Sequence, residues 1–454
     1  WWGGVLPVLG LLAVSGASAQ VTDEPVETVA VEPADDPSPG WRFDWGFEIK
    51  THYRDSEENR FPVPFPFSPD QLPPGASQGF MSTVDPGSHF ELSAATLRLD
   101  AAWRRSWAGR LKVDLVDRYD RNPTSTDREV DLDEAWLRWG RESGPAELPD
   151  RPGAYLKLGK MPKLERQDDR HLESYGLVST TFNRFEDTGV EVGADLGRFV
   201  YLKATVTQGN PLFLRDPNAL AGDNGTPELE RPNPQPRLGT GIVIPYDAEV
   251  EGLDLDGDLE LGGGLGVRWA NAAGDGVDVL LWGYERELAD TVDFHGSFYG
   301  GDLDLLLGPG NAFPFPLDGR DKREIGANLW LFRGGLSLFA QVVDQDLAGL
   351  ERLGLEAEAA WRFDLPVVFA VGGRQLFPSI APAVRWSRLE PDFAPPPVTP
   401  SPSFAWEWEK LDLGVRLTVV RGVELTAEYA AHEFIRAGGP ADNDELLVTL
   451  AWRR

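Results

Sequence analysis

The chain has 454 residues, and its 43 Lys and Arg against 73 Asp and Glu leave a formal net charge of −30. It contains no Cys and only 2 Met, which excludes thiolate metal sites, disulfide frameworks and cysteine nucleophiles. So acidic a balance also argues against nucleic acid as a partner, because that role needs a basic face to replace the counterions on phosphate.

The chain opens on an apolar stretch from Val5 to Val14, followed by small residues and Ala17-Ser18-Ala19 before Gln20. This is the A-x-A pattern of a secretory signal peptide over residues 1–19. The apolar run is well short of the ~20 residues a spanning helix needs. Residues 20–40 hold Asp23, Glu24, Glu27, Glu32, Asp35 and Asp36 with four prolines and no basic residue, the composition of an acidic disordered linker.

From residue 41 to the end, the dominant signal has period two. Phe43, Trp45, Phe47 and Ile49 alternate with Asp44, Gly46, Glu48 and Lys50. A strand places such sets on opposite faces. The pattern recurs at Leu97–Arg104, Leu111–Val116, Leu156–Leu158 and Val200–Thr207. It returns at Leu253–Trp269, Leu411–Val419 and Val423–Tyr429. Connections alternate in length. They are short at Arg105–Gly109, Leu196–Arg198, Arg333–Gly335 and Val420–Gly422. They are long at Arg54–Gly87, Met161–Phe185, Gly209–Glu251 and Glu390–Ala405. Tryptophans cluster at strand ends, and the final strand Leu446–Trp452 alternates up to an aromatic, although Arg453 and Arg454 follow it.

These features predict an all-β fold: a transmembrane antiparallel β-barrel of about sixteen strands with short periplasmic turns, long extracellular loops and aromatic girdles. A closed sheet satisfies its backbone in lipid while its inner face stays polar. That reconciles membrane insertion with a mean hydropathy of −0.30. The expected location is the outer membrane of a Gram-negative-type bacterium, with its lipids as partners. Between Asp346 and Glu390 the pattern reads equally as one broken strand or as two, Leu353–Phe363 and Val367–Arg374.

The stretch Tyr155-Leu-Lys-Leu-Gly-Lys-Met-Pro-Lys-Leu-Glu-Arg166, followed after a loop by Arg184-Phe-Glu-Asp-Thr-Gly-Val-Glu-Val-Gly193, resembles the phosphate-selective porin O and P family. Pro162 comes one residue sooner after Gly159-Lys160 than in that family's turn. Val367–Phe377, continued by Ala383–Pro391, is similar to the family's late hairpin. The resemblance implies a sixteen-stranded homotrimeric porin that passes small hydrophilic solutes or inorganic ions. It also implies an inward-folded loop that narrows the lumen.

An anion path needs basic groups to replace the solvation of the ion. Parity turns Arg98, Lys112, Lys157, Lys203 and Arg416 toward water, and the loop after residue 159 supplies Lys160, Lys163, Arg166, Arg170 and Arg184. On the same face stand Asp100, Asp114, Glu191, Asp195, Asp254, Asp256, Asp258, Glu260, Asp412, Glu424 and Glu428, so acids outnumber bases. Phosphate selectivity is therefore not carried over, and anion and cation preference both stay open.

Asp254-x-Asp256-Gly-Asp258 lacks the spacing of a calcium loop and reads as a carboxylate ladder. No metal site, cofactor motif, G-x-S-x-G elbow or Walker loop occurs. A channel rather than an enzyme is expected. The alternatives are an outer-membrane barrel enzyme, which needs a Ser and His pair near one rim, or a secreted β protein outside the membrane.

Overall fold

The computed structural model describes residues 40–57, 60–63, 79–82, 87–104, 106–117, 131–167, 170–183, 186–209, 259–287, 297–298, 301–302, 318–393, 407–436, 439–442 and 444–454. The expected signal peptide, most of the acidic linker, Arg184, and the carboxylates Asp254, Asp256 and Asp258 lie outside them.

Sixteen antiparallel strands form the wall. The first eight are β1 (Trp41–Ser56), β2 (Gly87–Trp103), β3 (Trp107–Asp117), β4 (Asp131–Gly140), β5 (Ala154–Pro162), β6 (Glu186–Asp195), β7 (Val200–Thr207) and β8 (Glu260–Ala270). The rest are β9 (Gly276–Glu287), β10 (Asp321–Arg333), β11 (Leu336–Leu347), β12 (Leu350–Trp361), β13 (Ser379–Pro391), β14 (Glu407–Val420), β15 (Val423–Arg436) and β16 (Glu445–Arg453). Each pairs with its neighbours in sequence, and β16 returns to β1 from Glu48↔Arg453 to Ser56↔Glu445. The sheet therefore has no free edge, which is how a β protein meets the backbone demands of lipid.

The alternation predicted from sequence sorts the two faces. Leu99, Leu111, Leu137, Leu158, Val192, Leu202, Leu265, Leu281, Leu413 and Leu450 are exposed on the outside. Glu134, Arg268, Asp278, Glu324, Gln341, Glu356, Arg385, Asp412 and Thr449 are buried within. A water-soluble fold hides the first set and shows the second, so this inversion is that of an outer-membrane barrel. Aromatic pairs sit at one end of the wall, such as Trp41 with Trp103 at 6.1 Å and Trp361 with Phe363 at 6.2 Å.

Two connections depart from the expected short and long sides. On the long-loop side, β11 and β12 are joined by Ala348 and Gly349 alone, both at positive φ. On the short-turn side, β12 and β13 are separated by a small hairpin, Phe369–Val371 with Arg374–Leu376. That hairpin resolves the ambiguity in the sequence: Leu350–Trp361 is one wall strand, and the apolar segment after it is an appendage of the turn.

Inside, large side chains lie flat on glycines of the adjacent strand. A Cβ on Gly266 would stand 1.9 Å from the Tyr201 ring, and one on Gly262 would stand 2.5 Å from that of Tyr284. The glycine-rich run of β8 is thus a close-approach surface for tyrosines, as glycine in a strand interior often is.

Candidate functional site

After β5 the chain turns into the barrel instead of outward. Residues 163–167 and 170–183 lie across the lumen and are fastened to the wall from β8 to β16. Lys163 Nζ lies 2.8 Å from Glu324 on β10 and 3.7 Å from Glu260 on β8. The Glu165 carboxyl takes the Tyr284 hydroxyl at 2.6 Å, and the Glu165 backbone carbonyl accepts from Asn328 at 2.6 Å. His171 lies against Glu358 on β12, and its backbone amide donates to the same carboxylate at 2.8 Å. The amides of Glu173 and Ser174 donate to Glu428 on β15. Arg385 on β13, fully buried, donates to Asp412 at 2.9 Å, to the Ser174 hydroxyl at 2.6 Å and to the Ser174 carbonyl at 2.8 Å. A helical turn, Ser179–Asn183, ends the crossing, with Phe182 packed on Gly354 beneath the Arg352 guanidinium.

Fastened in this way, the loop engages the β8–β15 side, and part-exposed inner side chains remain along β16 and β1 to β3. At the middle of β1, Glu173 of the loop meets Lys50 at 3.0 Å, Arg416 at 2.9 Å and Arg453 at 3.5 Å. Burial works against ionising Glu173, but these three cations outweigh it and hold the carboxyl well below the usual carboxylate range.

Accessibility within the lumen is divided by sign. The side chains of Lys50, Arg98, Lys112, Arg166, Arg170 and Arg453 are each 22–27% exposed. Their acidic partners Glu173, Asp100, Asp133, Glu186 and Glu356 are at most 7% exposed. Among the described residues, Glu48, at 27%, and Glu424, at 18%, are acids of these ion pairs that retain access, and Asp44, on the same face of β1, is exposed. Long basic side chains, from the wall at Lys50, Arg98, Lys112 and Arg453 and from the loop at Arg166 and Arg170, reach past carboxylates that are mostly covered, so the cation is the more accessible member of most pairs.

The residues predicted from sequence therefore separate into groups. Arg98, Lys112, Arg166 and Arg170 stand on the water path, and Arg416 borders it. Lys203 sits deeper, with Lys157, around Glu142, each ammonium 3.0 Å from that carboxylate. In the connection after β4, burial opposes ionising Glu142, but Lys157, Lys203 and Arg138 hold it well below the usual range. Lys163 and Glu260 are sealed in the loop–wall contact. Burial there opposes the charged ammonium, yet Glu260 and Glu324 raise the Lys163 pKa. Lys160 shares its row with Ala135 and Thr188, on the face that carries Leu158 and Val190, and bonds the Leu132 carbonyl. It lies off the path.

Sequence reasoning passed over Lys50, Arg453, Arg385 and Lys410. Lys50 has the parity of the inner face, and Arg453 follows the aromatic that closes the alternating terminal pattern. His432 Nδ1 accepts from Trp408 Nε1 at 3.1 Å, and Glu445 lies 3.6 Å from its other nitrogen, a packed structural setting inside the wall.

No protein-family model matches the sequence, and no curated protein matches it. Among solved structures, the chain is similar to the outer membrane channel DcaP of Acinetobacter baumannii. The TM-score is 0.52 at 8% identity, covering 92% of this chain and 98% of that one. It also aligns with OprB of Pseudomonas putida (TM-score 0.48, 10% identity, 91% and 94% covered). A third match is an anion-selective porin of Comamonas acidovorans (TM-score 0.45, 8% identity, 91% and 100% covered). The likeness to DcaP gives the fold: a closed sixteen-stranded outer-membrane barrel.

Proposed function

We propose that the chain is a passive outer-membrane channel for small hydrophilic solutes, and that its narrow part prefers small anions, phosphate among them. The observation that carries this reading is the division of exposure. Counting residues gives an acidic lumen, but a permeating ion interacts most strongly with groups that water reaches, and among the described residues along β16 and β1 to β3 those are mostly Arg and Lys. Guanidinium and ammonium groups replace part of an anion's hydration and repel cations at the same place. Each retains a carboxylate behind it, which weakens the field and favours transit over tight capture. Assembly as a homotrimer, implied by the family resemblance, belongs to the same proposal.

The test is the reversal potential of the purified protein in a planar bilayer under a KCl gradient, repeated with phosphate in place of chloride. Anion preference is expected, and it should fall toward zero in the double variant Arg98→Gln, Lys112→Gln. Cation preference in the unaltered protein would refute the anion path. Absence of current from a well-folded sample would refute the channel.

A further inference from the structure

The connection from β4 to β5 leaves the rim and enters the barrel. Residues 141–153 form a longer segment than the turns 104–106, 196–199 and 271–275 at the same end. Its two ends are tied: the Arg141 amide donates to the Ala154 carbonyl at 3.2 Å, and the Gly153 amide donates to Asp195 on β6 at 2.9 Å. Between them the Ala146 amide donates to Asp278 on β9 at 3.0 Å, and Ala146 rests on Gly276, where a Cβ would stand 2.7 Å from that of Ala146. Asp278 is buried and alternates with the exposed Val279 and Leu281, so the segment crosses the inner side of the wall. Glu142 fixes it there. Its carboxylate lies 3.0 Å from Arg138 on β4, Lys157 on β5 and Lys203 on β7, so three strands grip one side chain of the connection. Arg141 and Glu147 pair at 3.1 Å and keep 37% and 35% exposure, so the segment borders water on its free side.

The inward loop reaches the same strand from the opposite end. The Leu164 amide donates to the Tyr284 hydroxyl at 3.1 Å, and that hydroxyl donates to Glu165 at 2.6 Å. On the inner row of β9, Leu280 and Trp282, both buried, separate Tyr284 from Asp278. Two segments therefore pack one side of the lumen from both ends, and the part-exposed cations of β16 and β1 to β3 lie across from them. We infer that residues 141–153 form a second constriction of the channel, at its periplasmic end, and that Glu142 is the positioning residue that holds it inward. An ion that has passed the inward loop must then pass this ledge, so both segments bear on conductance. Removing the Glu142 carboxylate takes one negative charge from a site that keeps Arg138, Lys157 and Lys203. The change loosens the ledge and makes the exit more basic in one step.

The inference rests on the channel reading, and its test separates the two. Deleting Ser143–Pro152 leaves Glu142 and Gly153 between the bonded residues Arg141 and Ala154, the two-residue length of an ordinary hairpin turn. Single-channel conductance of that variant should rise on the order of twofold, because the narrowest parts of a pore set its current. Glu142→Gln should raise conductance less and shift the reversal potential toward anions, a change that a merely loosened wall does not produce. Glu142→Asp, which keeps the charge, should stay close to the parent in reversal potential. Parent conductance in the deletion, or parent conductance and reversal potential in Glu142→Gln, overturns the constriction. Placement is read separately in the double variant Ala146→Cys, Gly276→Cys. The chain has no other cysteine, and the two Cβ positions need move apart by about 1 Å to reach disulfide spacing. The disulfide should form and leave the current at the parent level; no disulfide, or a higher current once it has formed, overturns the ledge. If the folded protein carries no current, the channel reading fails, and the disulfide decides the inward placement alone: formed, it upholds the ledge, and absent, it overturns it.

Discussion

Arg385 illustrates how single residues organise this interior. Its guanidinium reaches Asp412 on the neighbouring strand and two oxygens of Ser174 on the loop, a fork that the three-pronged ammonium of lysine does not reproduce. Replacing it with Ala would leave Asp412 with Lys410 and the Ser174 hydroxyl as partners and take the Arg385 donor from the Ser174 carbonyl. Removing one member of a buried ion pair costs on the order of 3–5 kcal/mol. Arg385→Ala is therefore expected to unfold at a lower temperature, read as loss of the heat-modifiable mobility shift in detergent, and to conduct more because the loop is less firmly held. Arg385→Lys should recover little of either. A variant matching the parent in both readouts would show that the fork does not secure the loop. The sequence placed Arg98, Lys112 and Asp412 on the correct face because parity is a property of the strand itself. It could not rank them by exposure, since that depends on what the loop covers.

The loop is the element on which the proposed selectivity turns, and it is the least readable from its own residues. Residues 163–183 carry no period, and their partners lie far along the chain: Glu324, Glu358, Asp412 and Glu428 are supplied by four different strands. Inward folding entered the sequence reading through the family resemblance, whereas the strands were readable directly, down to the parity of β1 and β15. The loop's central anchor is Glu173, one carboxylate shared by Lys50, Arg416 and Arg453. Its pKa is held low, so the stability it lends is full above the ordinary carboxylate value and declines as pH falls from there toward the depressed one. Glu173→Gln removes a negative charge from the narrow part and leaves three cations with less compensation. Anion preference, read as reversal potential at neutral pH, should increase. A shift toward cations would mean that the loop moves away and takes the basic groups out of the path.

For the whole molecule, the net charge and the local path have opposite signs. The chain carries a formal charge of −30, while among the described residues the part-exposed groups on the proposed path are mostly cationic. Which of the two governs an ion depends on distance measured against screening. At ~0.01 M salt the Debye length is ~30 Å, so the acidic field of the whole protein reaches an ion in the lumen. At ~1 M it is ~3 Å, and only groups beside the ion are felt. Selectivity in a channel with charge of one sign usually fades as salt is added. Here the distant term fades and the near term survives, so chloride permeability relative to potassium should rise with mean salt concentration at a fixed gradient ratio. The measurement is a series of reversal potentials across that range, and the trend should be lost in Arg98→Gln, Lys112→Gln. A steady decline of anion preference with salt would mean that the basic side chains lining β1, β2 and β3 do not dominate the path, and that the distant charges rather than these set its preference.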